Sequence, residues 1–288
     1  HLLLSPHGAD LPAASAARFS FIGKGARLSV AAQDLSQVPE LLRQQVVLVR
    51  EDESGRVLEA TGVQLPGALD DLYAAAEGEQ ALGATPHAGK TGFRLWAPTA
   101  RTVSLCLHAG GRSRTILREP MQRDDQTGIW AATFEKDLSG HYYTYLVEVF
   151  VPGVGMVRNR VTDPYSVSLT TDSLRSYVAD LGAPTLKPAG WEQTPFPQKV
   201  AAQTDMSIYE LHVRDFSIGD ATVSVPNRGK YLAFTEADSN GMRHLAALSA
   251  AGLTDVHLLP VFDFATVPEA GCVTPEVPDA PPDSLQQQ

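Results

Sequence analysis

The spacing of apolar residues takes three successive forms along the chain, and each predicts different elements. From His1 to about Leu82 the apolar runs are short. Arg27 to Ala31 and Gln45 to Arg50 are rich in Val and Leu, and the polar stretch Glu51 to Gly55 closes the second, so both read as hairpin strands. Leu69, Leu72, Tyr73 and Ala76 then fall at i, i+3, i+4 and i+7, one face of a two-turn helix over Ala68 to Ala76. Gly78 and Gly83 end it and mark a boundary.

From Ala84 alternation takes over. Phe93 to Ala97 alternates until Pro98, which cannot donate to a strand ladder, and Val103, Leu105 and Leu107 share one face of the next run. A polar turn at Asp124 to Gly128 leads into Ile129 to Phe134, and Ser139-Gly leads into His141 to Phe150. Strands at this spacing without a long helical period predict a β-sandwich of about 100 residues.

Beyond Pro184, Pro188, Pro195 and Pro197 the pattern changes again. Ser207 to Ser217 reads as a strand, and Ser239 to Ala251 as a helix with Met242, Leu245, Ala246 and Ser249 on one face, Ser239 as its cap and Gly252 as its stop. Thr254 to Phe264 is a second apolar strand, which makes the unit βαβ with a parallel pair. The chain thus divides into a partial β-rich domain over 1–83, a β-sandwich over 84–180, a proline-rich linker over 181–204, a βαβ unit over 205–265, and a disordered or truncated tail over 266–288 with Pro268 to Pro282 and Gln286 to Gln288.

Composition narrows the partners more than the fold. Asp and Glu number 33 against 23 Lys and Arg, a net charge of −10, which argues against nucleic acid, whose phosphates need clustered cations. Cys106 and Cys272 are too few and too far apart for a disulfide framework or a cysteine metal site, so both read as structural. Leu2 to Leu4 is far shorter than a signal-peptide core, and nothing approaches the ~20 apolar residues of a spanning helix, so no membrane partner is expected. Because the chain begins at His1, a removed targeting segment and the compartment stay open. There is no Gly-rich phosphate loop and no metal-ligand spacing, and no cofactor is expected in these residues.

Two blocks carry a family resemblance: Tyr209-Glu-Leu-His-Val-Arg-Asp-Phe-Ser, and Gly252-Leu-Thr-Asp-Val-His-Leu-Leu-Pro-Val-Phe-Asp-Phe. Together they resemble pullulanases and limit dextrinases of the α-amylase superfamily, glycoside hydrolase family 13. Thr61-Gly-Val-Gln-Leu-Pro-Gly-Ala-Leu-Asp-Asp-Leu-Tyr is similar to the motif preceding that family's starch-binding-type sandwich of family 48. Phe93-Arg-Leu-Trp-Ala-Pro-Thr-Ala resembles its opening and Asp163-Pro-Tyr-Ser-Val-Ser-Leu its exit.

The resemblance implies hydrolysis of α-1,6 branch linkages in pullulan, limit dextrin or amylopectin by a retaining double displacement, which needs two carboxyl groups about 5 Å apart. It makes 205–265 the start of a (β/α)₈ barrel, a fold of roughly 250 residues, and places the catalytic carboxylates after strands four, five and seven. No catalytic, substrate-binding or metal residue is therefore assigned within this chain, which is expected to be inactive alone. The implied partners are the α-glucan substrate and the remainder of the barrel, as further residues or a second chain. Calcium is compatible with the complete enzyme. A competing reading is a non-catalytic glucan-binding or docking module, and a third is a small doubly wound domain over 205–265, against which stands the absence of a Gly-rich turn after its first strand.

Individual residues divide the same way. Glu210, His212 and Arg214 alternate onto one face of the predicted strand and are expected to form a buried, ion-paired network. Asp215 and Asp263, at the ends of the two strands, are expected to anchor loops, and His257 to be a satisfied core histidine. Trp96, Trp130, Tyr142, Tyr143 and Tyr145 could offer platforms for sugar rings, but most aromatics of a small sandwich are core. Glycogen-binding relatives of the module use a Trp in two loops that here read Ala109-Gly-Gly-Arg and Gly153-Val-Gly-Met, without Trp.

Overall fold

Two strands near the start already depart from simple hairpins. Leu28–Val30 (β2) pairs antiparallel with Leu4–Pro6 (β1) across the helix Ala13–Arg18 (α1), and not with the next predicted strand. That strand, Val47–Glu51 (β3), pairs with Val57–Gly62 (β4). The turn between them forms because the Asp52 carboxylate accepts from the Ser54 and Arg56 amides at 2.9 and 3.0 Å. Val38–Leu41 (α2) precedes the hairpin, and Pro66–Leu72 (α3) follows it, with Tyr73 buried just past its end. The computed structural model describes residues 1–8, 10–21, 25–79, 81–196, 200–262 and 266–271.

The sandwich follows. Gly83–His87 (β5), Lys90–Trp96 (β6), Thr102–His108 (β7), Thr115–Pro120 (β8), Gln122–Arg123 (β9), Ile129–Phe134 (β10), Tyr142–Val151 (β11), Gly155–Val161 (β12) and Ser176–Tyr177 (β13) form two antiparallel sheets. One runs β5-β6-β10-β9. The other runs β12-β11-β7-β8, with β13 also pairing β11. Phe93 and Leu95 from the first sheet meet Val103, Leu105, Leu107, Tyr143 and Tyr145 from the second, so the predicted alternation of β6 and β7 does face the core. The outward residues of β7, Ser104, Cys106 and His108, are buried as well. Arg175, from the segment returning along that face, donates to the carbonyl oxygens of Gly110 and Ser113 in the β7–β8 loop.

The chain clusters into two compact units, His1–Gly182 and Ala183–Gln288. In the second, Ile208–Leu211 (β14) gives way to a short helix, Val213–Ser217 (α4), and Asn240–Ala250 (α5) leads to Asp255–Leu258 (β15). β14 and β15 pair in parallel from Ile208↔Asp255 to Leu211↔Leu258. The Ser239 hydroxyl accepts from the Met242 amide at 3.3 Å, and α5 ends in paired bonds from Gly252 to Ser249 O and from Leu253 to Leu248 O, with Gly252 at φ +106°. Its half-buried positions are Gly241, Met242, Leu245 and Leu248, not Ala246 and Ser249 as the spacing predicted. Among the described residues of the predicted linker, Pro184–Leu186 and Trp191–Gln193 form short 3₁₀ turns, and a third, Gln203–Asp205, crosses its end. Asp263, Cys272 and the predicted tail from 272 onward lie outside the described residues.

Candidate functional site

The predicted strand Ser207 to Ser217 stops at Leu211. His212 caps α4 instead, its Nδ1 accepting from the Arg214 amide at 3.1 Å, and this turns Arg214 and Asp215 out of the strand. The buried network expected of Glu210, His212 and Arg214 is absent. Glu210 pairs with His257 Nδ1 at 3.3 Å with their side chains 56% and 65% exposed, and Arg214 pairs with Asp215 at 2.8 Å in the open. The bond from Arg214 is the main reason the Asp215 carboxyl sits below its ordinary range. His257 is thus no core histidine: α5 packs against Tyr209 of this two-stranded sheet, but nothing among the described residues covers Glu210 and His257. A cleft of about 490 Å³ opens past the ends of β14 and β15, lined by His212, Arg214, Lys230, Tyr231 and Phe262 among others.

The five aromatics of the sandwich separate by strand phase. Trp130 is buried with its indole N–H donated to Ala97 O, and half-buried Trp96 donates to Thr127 O, both at 3.0 Å. Tyr143 and Tyr145 point into the core, where both hydroxyls donate to one carboxylate oxygen of Asp163, at 2.8 and 3.2 Å. Burial pushes the Asp163 carboxyl up, against the pull of bonds from the Tyr165 amide and the two tyrosines, and it pushes both phenols up too. Only Tyr142, one residue out of phase, faces a cleft.

That cleft, about 440 Å³, is lined by Gly111, Arg112, Tyr142, Ser168, Thr170 and Tyr177 among others. Tyr142 and Tyr177 are register partners on β11 and β13, with ring centroids 5.0 Å apart at an interplanar angle of 56°. The loop forming one wall is fixed by reciprocal bonds between Gly110 and Ser113 and by Arg175. Ala109–Arg112, where glycogen-binding relatives carry a Trp, therefore borders the cleft with an arginine. Tyr177, Thr170 and Arg112 were missed from sequence; the break in phase between Tyr142 and Tyr143 was the available signal. Beneath lies His108, fully buried; its Nε2 is 3.4 Å from Thr144 Oγ1, and its Nδ1 has no hydrogen-bond partner. Burial, then the charges of Arg175 and Arg160, hold its imidazole below the ordinary range and so neutral.

Among the described residues, no group of three or more His, Cys, Asp or Glu side chains gathers where it could hold a metal ion, and no helix is long and apolar enough to cross a membrane.

Residues 1–71 match the Pullulanase N2 domain, and residues 81–166 match carbohydrate-binding module 48, the isoamylase N-terminal domain. Pullulanase from Klebsiella pneumoniae is 43% identical over 240 residues, covering 82% of this chain and 22% of its own length. Chloroplastic pullulanase 1 of Arabidopsis thaliana is 38% identical over 232 residues, covering 80% and 24%. The crystal structure of the Klebsiella oxytoca protein superposes with a TM-score of 0.85 at 39% identity, over 96% of this chain and 26% of that one. The maltotriose complex of the Klebsiella pneumoniae protein gives 0.83 at 38% identity, over 93% and 29%. The chain thus spans about a quarter of the length of these relatives. It carries the N-terminal domains of the pullulanase family, an N2 domain followed by a module 48.

Proposed function

We propose that these residues are the N-terminal part of an α-1,6-glucan debranching hydrolase acting on pullulan, limit dextrin or amylopectin, with β14, α5 and β15 as the first βαβ of its (β/α)₈ barrel. The observation that carries the reading is the parallel pairing of β14 and β15 across one helix, downstream of the N2 domain and the module. A parallel pair joined by a helix is the repeating unit of such a barrel. On this reading the domains run 1–83, 84–180 and, after the linker 181–204, from 205 onward. The remaining strands cover Ile208, Val256 and Leu258, which stand exposed here.

A retaining mechanism requires a nucleophile and an acid carboxyl about 5 Å apart, which the family resemblance places after later strands, outside these residues. The 288-residue chain is accordingly expected to release no reducing ends from pullulan, and the parent protein to release them. Turnover by purified chain overturns the division of labour, and a parent without turnover overturns the hydrolase reading. A second reading gives the module a glucan-binding role of its own. It is favoured by Tyr142, which presents an aromatic ring to a hydroxyl-lined cleft.

A further inference from the structure

We infer that the cleft beside Tyr142 takes a saccharide bearing a phosphate monoester. This rests on the glucan-binding reading of the module and adds a charge to its ligand. The argument begins with arginines that lack carboxylates. Elsewhere in the first unit Arg18, Arg43, Arg94, Arg101 and Arg123 each pair with an acidic side chain, as expected where acids outnumber bases 33 to 23. Arg112 at the cleft, Arg175 behind its wall and Arg160 on β12 do not, and Arg118 on β8 likewise meets only the Ser104 hydroxyl. Arg112 lines the cleft and makes no hydrogen bond or ion pair among the described residues. Arg160 reaches only the Thr115 hydroxyl, at 3.4 Å, and Arg175 only the carbonyls of Gly110 and Ser113.

Arg160 and Arg175 stand close enough to repel. Burial first, then the charge of Arg160, holds the Arg175 guanidinium below its ordinary range, and both cations bear on the buried His108. Their charges are met only by neutral oxygens, in a protein of net charge −10. An arriving anion would relieve that repulsion, and arginine binds phosphate oxygens through charge-assisted hydrogen bonds. Arg112 at the lining, with Arg175 behind the Gly110–Ser113 wall, suits a phosphate monoester, with about −1.5 to −2 charges, better than a single carboxylate. The rest of the lining fits the sugar. Tyr142 backed by Tyr177 offers a ring face, and Ser168, Thr170 and Thr171 offer hydroxyls that can both donate and accept.

The test is affinity electrophoresis of the 288-residue chain through gels containing phosphate-esterified amylopectin or the same polymer after phosphatase treatment. Retardation is expected to be about tenfold stronger on the esterified polymer, on the scale of a charge-assisted contact. Arg112→Ala is expected to remove that excess with an unchanged melting temperature, and Arg112→Lys to restore much of it. Inorganic phosphate in the gel should erase the excess, whereas chloride at equal ionic strength should not. Equal retardation on both polymers overturns the anionic ligand and leaves the glucan-binding reading standing. No retardation on either overturns both. Excess retardation that survives Arg112→Ala, or that chloride abolishes as well as phosphate does, overturns the assignment to this cleft.

Discussion

Asp163 gathers more buried polar partners than any other side chain described above. Its carboxylate accepts from the hydroxyls of Tyr143 and Tyr145 and from the Tyr165 amide, and its own amide donates to Ser176 Oγ at 2.9 Å. Asp163→Ala would leave both tyrosine hydroxyls buried without a partner, and is expected to lower unfolding stability by about 2–4 kcal/mol in urea titration. The pH dependence has a definite sign. Burial raises the Asp163 pKa above 3.8, so its folded form holds a proton that the unfolded chain has already released. The stability this contributes is complete below 3.8 and is lost as pH rises through the raised value. Melting of the wild type minus that of Asp163→Asn should therefore fall as pH climbs from about 3.8 upward. A difference that grows over that window would contradict the burial argument. The motif Asp163-Pro-Tyr was legible as the exit of the sandwich. That its carboxylate would lie under two tyrosines, 20 and 18 residues earlier, was not, because strand phase says which way a side chain points but not what meets it.

Among the elements, the decisive join is between the N2 domain and the first sheet of the module. Tyr73, past the end of α3, is buried and accepts from Arg123 at 2.9 Å. Gly128, at φ +70°, lets the turn before β10 approach it: a Cβ there would stand 2.8 Å from Pro98 Cβ and 3.2 Å from Tyr73 Cδ1. Gly128→Ala meets both a left-handed backbone and a clash, and is expected to cost about 2–4 kcal/mol. Glu40, which pairs with Arg101 and Arg43 at the same join, is half exposed. Glu40→Gln should cost less than about 1 kcal/mol, as solvent screens such pairs. Urea midpoints of the two variants check the ordering, and equal losses would mean that the ion pairs, not the Tyr73 packing, hold the join. The two-turn helix carrying Tyr73 was legible from its i, i+3, i+4, i+7 spacing, although the helix begins at Pro66 and Leu72 remains exposed. The strand Ser207 to Ser217 was half wrong, because the cap formed by His212 outweighs the alternation of its neighbours.

Over the whole molecule the sheets differ in how well they are covered: those of the module are, and the pairs β3–β4 and β14–β15 hardly are. β7 is buried on both faces, whereas Ile208 on β14 and Val256 and Leu258 on β15 are exposed. A two-stranded sheet is marginal without further layers. Native-state hydrogen exchange should show the β14 and β15 amides exchanging by local opening, well before those of β7 and β11. Equal protection would mean that something shields β14 and β15. The same contrast explains where residue-level expectations failed. Glu210 was expected in a buried ion-paired network and His257 in a core, and both are exposed because nothing among the described residues covers them.

Side-chain spacing and wording along the chain carried the order and kind of most elements, the apolar alternation of β6 and β7, the parallel β14–β15 pair and the family. Each of these follows from side-chain spacing or wording within a few consecutive residues. Folding alone brings β2 onto β1, the tyrosine hydroxyls onto Asp163, and Arg112 and Tyr142 into one cleft. Those contacts join segments tens of residues apart, and whether a polar group is buried, paired or exposed depends on what the rest of the chain lays over it.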